Sequence, residues 1–305
     1  MNSFDHWMVG LDLTNMDDLV LGYLDFLSGI DEPDHLTFIH VIEDEEISEE
    51  LSELFPEIES SKSLESIIRE ELQKKVDKHF EADGPDINII IREGSTTETL
   101  LSGLNELDPD LLVLGKKTGY EGEGVLARKI TKYAHCSLLF IAENSQYKLE
   151  NIHVPITFSK ASARALTKAQ KMSKSIDAEF HVQHVYNYPA QFFPYIPSDK
   201  YSERMNDHLN NKFEKFKKKY DLTDIPNCVF TVNEDGKDAD QIYDLTLRTR
   251  ADLIMVGAKS KTSAAALLTD ELADSLAEYH FGVPVLIYKE KEEHIGLLKS
   301  LLDKD

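Results

Sequence analysis

The sequence predicts an α/β fold built twice: two tandem five-stranded parallel-sheet domains in one chain. Three observations predict it. The text of the first half returns in the second at a nearly constant offset. Strand-length apolar runs alternate with amphipathic helical stretches. The runs LLVL (111–114) and LIMV (253–256) are apolar at every position. A repeat unit of domain size indicates two fused copies of one fold rather than a solenoid. Alternating strands and helices indicate a parallel sheet with helices on both faces, so its strands need no polar side.

Each element follows in order. The first half opens with WMVGLDLT, a short strand and a polar turn, then an amphipathic helix. HLTFIHV is a second strand that closes on His40–Val41. The second half opens with NIHVPITFS and reaches its own His-Val, His184–Val185, through AEFHVQHV. INIIIREGSTTETLLSGL corresponds to CVFTVNEDGKDADQIYDL, each with a glycine (Gly94, Gly236) before a helix. DLLVLG corresponds to DLIMVG, ending at Gly115 and Gly257, and CSLLFIA corresponds to VPVLIYK. Long helical regions fill the gap between second and third strands. Ile47, Leu51, Leu54 and Phe55 share one helical face, as do Met205, Leu209, Phe213, Phe216 and Tyr220. The domains are expected over 1–146 and 147–290, joined through ENSQYKLEN (143–151), which is polar and shows no core pattern. Residues 291–305 form a tail in which Ile295, Leu297, Leu298, Leu301 and Leu302 suit the apolar face of a short helix.

Composition narrows the function classes. The chain has 305 residues, 41% hydrophobic and 29% charged, which is globular. Its formal net charge of −23 argues against nucleic-acid or anionic-membrane partners, since both need concentrated positive charge. Cys136 and Cys228 form no C-x-x-C pair, which suits a reducing cytoplasm. The N-terminus has no signal-peptide pattern, and no apolar run approaches the roughly 20 residues of a membrane span.

The strand and turn MVGLDLT (with HVPITFS in the second copy), the His-Val strand ends, the D-L-x-x-x-G fourth strands and the closing ARKITKYAHCSLLFI and LADSLAEYHFGVPVLIY form an ordered set found twice. In that order they resemble the universal stress protein family in its tandem two-domain form. The resemblance implies Rossmann-like domains of the adenine nucleotide alpha hydrolase type. It implies that the last strands, residues 138–142 and 284–288, pair to make an intramolecular pseudo-dimer. It also implies a cytoplasmic stress-response binding protein without catalysis, acting on an unknown protein partner or small ligand. Nucleotide-binding members carry glycine, two residues, glycine, nine residues, then glycine and Ser/Thr after the fourth strand. Glycines let backbone approach phosphate oxygens, and the last pair opens a helix whose free N–H groups attract anions. An Asp after the first strand and the end of the second strand face the nucleoside.

Set against that pattern, the first copy keeps the parts but breaks the spacing. Asp12 and Val41 stand at the nucleoside positions and Gly115 opens the loop. Lys116 and Lys117 add positive charge, and Gly119 roughly replaces the middle glycine. Gly124 takes the last glycine position in a loop four residues short, and Val125 replaces the hydroxyl residue. Glu121 and Glu123 offset the lysines. Two readings follow: a weakened ATP cradle, or a solvent-exposed glycine turn. Asp12, with Thr14 and Asp17, also reads as a helix start. The second copy keeps the spacing and loses the chemistry. Gly257 is retained, Ser260 replaces the second glycine, Asp270 and Glu271 replace the final pair, Thr157 replaces the Asp, and Val185 ends the second strand. Two carboxylates where phosphate would sit cost about 4 kcal/mol per close like-charge pair at an effective dielectric of ~20. Asp270 in TDEL reads equally as a helix cap. Both ATP sites are therefore expected to be degenerate, with ATP in the first domain as the alternative.

Elsewhere the chemistry is sparse. His181 and His184, three apart on a strand, point to opposite faces and cannot share a metal. His135 beside Cys136 has the same weakness as a metal pair, with no further ligand-type residue in a metal-site spacing. No metal set and no catalytic residue is read, and no G-x-S-x-G, H-E-x-x-H or Walker loop occurs. Nine acidic residues between Glu43 and Glu59 fit a solvated helix face. YNYPAQFFPYIP (186–197) places Tyr186, Tyr188, Phe192, Phe193 and Tyr195 among three prolines. Such aromatic area needs cover: the protein's own sheet, an apolar ligand or a partner.

Overall fold

Each sheet is pinned at its amino end by the aspartate of the D-L-x-x-x-G pattern. Asp110 Oδ2 accepts the backbone N–H groups of Asp5 (3.1 Å) and His6 (3.0 Å), tying the start of β1 (His6–Gly10) to that of β4 (Leu111–Lys116). Asp252 Oδ2 does the same for Glu150 (2.8 Å) and Asn151 (3.0 Å), joining β6 (Asn151–Pro155) to β9 (Leu253–Gly257). The structure, a computed structural model, describes residues 4–43, 61–81, 84–117, 124–187, 198–233, 237–259 and 271–290. The chain divides into two compact units, Met1–Tyr147 and Lys148–Asp305.

The first unit adds α1 (Met16–Ser28), β2 (His35–Ile42), α2 (Ser61–Asp77), β3 (Asp86–Glu93), α3 (Thr96–Leu107), α4 (Val125–Tyr133) and β5 (Ser137–Ala142). Its strands are parallel in the order β3-β2-β1-β4-β5, with Val9 opposite Phe38 on one side and Val113 on the other. The central strand β1 is fully covered: Trp7, Met8 and Val9 are buried, as are Val20, Leu21 and Leu24 of α1. The Trp7 indole N–H is satisfied by the Phe4 carbonyl at 2.6 Å.

The second unit adds α5 (Lys160–Ile176), β7 (Glu179–Asn187), α6 (Ser198–Lys219), β8 (Cys228–Asn233), α7 (Asp238–Thr249), α8 (Glu271–Glu278) and β10 (Val285–Tyr288). Its order, β10-β9-β6-β7-β8, is the same path, again parallel. Ala161, Ala165 and Ala169 are buried along α5. These small side chains bring that helix so close to the sheet that a Cβ on Gly257 would overlap the Ala161 carbonyl oxygen. Leu209, Phe213 and Phe216 form the buried stripe of α6, as their spacing predicts. The Ile47–Phe55 stripe and the 291–305 tail lie outside the described residues.

The connecting stretch 143–151 differs from the polar spacer expected. Ser145 and Leu149 are buried. The Tyr147 phenol lies over Gly22, with its ring 6.4 Å from that of Tyr23. A single aromatic supplied packing that a periodicity count over nine residues does not register. Among the described residues, no helix is long and apolar enough to cross a membrane, and no group of three or more His, Cys, Asp or Glu could hold a metal ion.

Candidate functional site

In both units the chain leaves the first strand through the same unusual turn. Leu13 and Phe158 each adopt a positive φ, 62° and 57°, a left-handed backbone that bulky side chains rarely take. The turn is held from two sides. Leu11 N–H donates to Ile39 O (3.0 Å), and Ile156 N–H to Gln183 O (2.8 Å). The His40 Nδ1–H donates to Leu11 O at 2.9 Å, and the His184 Nδ1–H to Ile156 O at 2.8 Å. Both imidazoles of the repeated His-Val pairs thus fix the backbone just before the site residue. The repetition was visible in the sequence, but the expected contacts there were those of Val41 and Val185.

In the first unit this turn builds a cleft of about 830 Å³ at the carboxyl ends of β1 and β4. Here the strand order reverses, because β2 and β4 both flank β1, and the helices diverge. Asp12, Val41 and Gly115 line the cleft, as does Lys117. Asp12 Oδ1 accepts from Thr14 N–H (3.1 Å) and the Thr14 hydroxyl (2.6 Å), and Oδ2 accepts from Lys117 Nζ at 2.5 Å. Burial pulls the Asp12 carboxyl upward, but Lys117 and Thr14 outweigh it and hold it below its ordinary value. Behind it, Asp17 is 3% exposed; Oδ1 accepts from Asp12 N–H (3.0 Å), and Lys75 Nζ contacts Oδ2 at 3.2 Å and donates to Thr14 O at 2.9 Å. Burial raises the Asp17 carboxyl despite these partners. Gly115, one residue before the end of β4, lets the strand lie close against α1: the Met16 Cγ would lie 2.7 Å from an added Cβ. Lys116 is half-buried at the end of β4, and Gly124, with φ 82°, leads into α4 at an exposed Val125. Gly119, Glu121 and Glu123 lie outside the described residues.

The second unit satisfies the same turn with hydroxyls. Thr157 N–H donates to Ser162 Oγ (2.9 Å), Thr157 Oγ1 donates to Ser159 Oγ (3.1 Å), and Ser159 Oγ caps α5 by accepting from Ser162 N–H (3.1 Å). Phe158 packs its ring 4.3 Å from His184 and 5.6 Å from Phe216, with Lys212 Nζ 4.7 Å from its centroid. Burial lowers the His184 pKa, and Lys212 adds to that. Val185 is half-buried on β7 opposite Thr231, and Gly257 is filled against α5. Glu271 opens α8 and lines a separate cleft of about 780 Å³ with Asp238, Glu278, Lys237 and His280. Ser260, Asp270 and the aromatic residues Tyr188, Phe192, Phe193 and Tyr195 lie outside the described residues.

The model of the universal stress protein family matches residues 4–142 and again 148–289. The chain belongs to this family. Its fold also resembles those of solved structures along nearly the whole chain. One is a functionally unknown protein of Pseudomonas aeruginosa PAO1, at TM-score 0.60 and 14% identity over 99% of this chain and 98% of that one. Another is a universal stress protein from Archaeoglobus fulgidus DSM 4304, at TM-score 0.60 and 14% identity over 96% and 98%. The comparison with curated proteins gives no match. At such identity these structures speak for the tandem fold alone. Sequence reading took Lys117 as loop charge and Asp17 as part of a helix start, and did not single out Lys75; only the pairing of β1 with β4 and the packing of α2 bring the three to Asp12.

Proposed function

We propose that the protein is a stress-response binding protein that does no chemistry of its own and takes ATP in neither half. One observation carries this reading. Four carboxylates, Asp12, Asp17, Glu43 and Glu143, line the first unit's cleft, and Lys117 is the only lysine or arginine among its described lining residues. That lysine is already engaged by Asp12. A triphosphate entering here would leave water for a surface of its own sign, and each close like-charge pair costs about 4 kcal/mol at an effective dielectric of ~20. In the second unit the equivalent turn is closed on itself by Thr157, Ser159 and Ser162, and Phe158 covers His184.

Nucleotide binding in the first unit is the second reading. Its support is the position of the cleft at the strand-order reversal, where α/β sheets hold ligands. Scanning calorimetry separates the two. Under the proposed function, millimolar Mg·ATP leaves the melting temperature of the full chain unchanged and no phosphate is released over hours. A rise of several degrees supports the second reading.

A further inference from the structure

We propose that the first unit's cleft is a receptor for a primary amine carried on a small apolar body, with Lys117 as its intramolecular occupant. The inference rests on the reading above that the cleft does not seat a triphosphate. Three features support it. First, Asp12 is presented as a one-sided acceptor: Thr14 fills Oδ1 with two hydrogen bonds, and Oδ2 is left for one ammonium group, now that of Lys117 at 2.5 Å. Asp17, through the Asp12 N–H, and Lys75, through Thr14 O, fix the backbone behind it, so the carboxylate is oriented before any ligand arrives. Second, this ion pair is not sealed. The Asp12 side chain is 56% exposed and that of Lys117 31%, which leaves the ammonium free to exchange. Third, the wall beside the carboxylate is apolar, with Val20, Ile39, Leu100, Leu114 and Leu126, while Glu43 and Glu143 extend the negative field. An alkylammonium fits both demands, and a lysine side chain is itself one. An anion meets the carboxylates, and an uncharged apolar molecule leaves Asp12 without a partner it could gain.

An internal occupant lowers apparent affinity by the fraction of molecules in which the site is free. Chemical rescue therefore tests the proposal in the full chain. Lys117→Ala empties the position, and n-butylamine replaces the lost side chain; n-butanol has the same body without the charge. Expected are a saturable rise in melting temperature of Lys117→Ala with butylamine and none with butanol. Binding to the natural chain should be roughly ten-fold weaker, and the rise should be lost in the Asp12→Asn/Lys117→Ala double variant. Equal response of the single and double variants to butylamine overturns the inference. So does the absence of a saturable response in Lys117→Ala. If butylamine fails and Mg·ATP also fails to bind, the proposed function still stands; saturable Mg·ATP binding overturns both.

Discussion

The two units trace the same backbone and fill it with different chemistry. Behind the turn, the first unit uses charge: Asp17 takes the Asp12 N–H and the Lys75 ammonium. The second uses a hydroxyl, Ser162, for the same N–H. The sheet layer beneath tells a second story. Met8, Ile39 and Leu104 are buried in the first unit; His153, Gln183 and Thr246 are buried at the matching places in the second. In that layer His153 Nδ1 contacts the Thr246 hydroxyl at 2.8 Å, and Gln183 Nε2 donates to Thr231 Oγ1 (2.9 Å) and Gln241 O (3.0 Å). Among the described residues, His153 Nε2, His181 Nε2 and Gln183 Oε1 are buried and have no hydrogen-bond partner. So the unit with the charged turn has the apolar layer, and the unit with the neutral turn has the polar one. A fold duplicated in one chain can keep its backbone hydrogen bonds in both copies while its side chains diverge, because Asp110/Asp252 and His40/His184 act on main-chain groups.

The comparison breaks most sharply at Asp17. Asp17→Ala leaves Lys75 and the Asp12 N–H facing each other in a nearly dry site, and breaking such a pair costs about 4 kcal/mol. Ser162→Ala removes only a neutral bond, about 1 kcal/mol. Urea unfolding followed by Trp7, the single tryptophan and buried in the first unit, measures the former. Hydrogen-exchange mass spectrometry of β6 and α5 peptides measures the latter. Equal costs would contradict the contrast.

Next is the close approach at the fourth strand. Gly257→Ala drives a methyl into Ala161 backbone, which cannot move without α5, at a cost of about 3 kcal/mol. Gly115→Ala meets side chains rather than main chain, Met16 Cγ at 2.7 Å and Val20 Cγ2 at 3.3 Å, and α1 side chains can give where the Ala161 backbone cannot, so a smaller cost of about 2 kcal/mol is expected. Amide exchange of peptides from each unit distinguishes them.

Acid sharpens the difference in the buried layer. Burial pushes the His153 pKa down from 6.5 to about 3; neighbouring His181 adds to this, and the Gln183 amide opposes it without closing a hydrogen bond to Nε2. Between those values the unfolded chain binds a proton that the folded unit refuses, so stability falls as pH drops below about 6.5. The slope is about 1.4 kcal/mol per pH unit, or about 2.7 kcal/mol two units below. His184, also lowered, acts in the same direction. His153→Met, which copies Met8, should flatten the second unit's pH dependence between about 6.5 and 4.5. An unchanged slope would show that His153 does not carry it.

The repeat, the alternation of strands and helices along the chain and the position of Asp12 were legible because they depend on local pattern. Apolar runs specify buried strands, and a carboxylate after the first strand marks the turn whatever surrounds it. What surrounds it was not legible. Lys117 reaches Asp12 from 105 residues away and Lys75 reaches Asp17 from 58 away, contacts that exist only once β4 lies beside β1 and α2 packs over α1. His40 and His184 carried a signal, their repetition, but their role lies in main-chain geometry that no spacing rule encodes. Tyr147 shows the opposite failure: one ring in a polar stretch finds a glycine-floored seat on a helix far away in sequence.

Calorimetric titration of Mg·ATP into the full chain tests the central claim most directly. No saturable heat up to millimolar nucleotide is the result expected of a cleft lined by carboxylates and a second turn closed on its own hydroxyls. Saturable binding with micromolar Kd, lost in Asp12→Asn, would contradict it and place the protein among the nucleotide binders of its family.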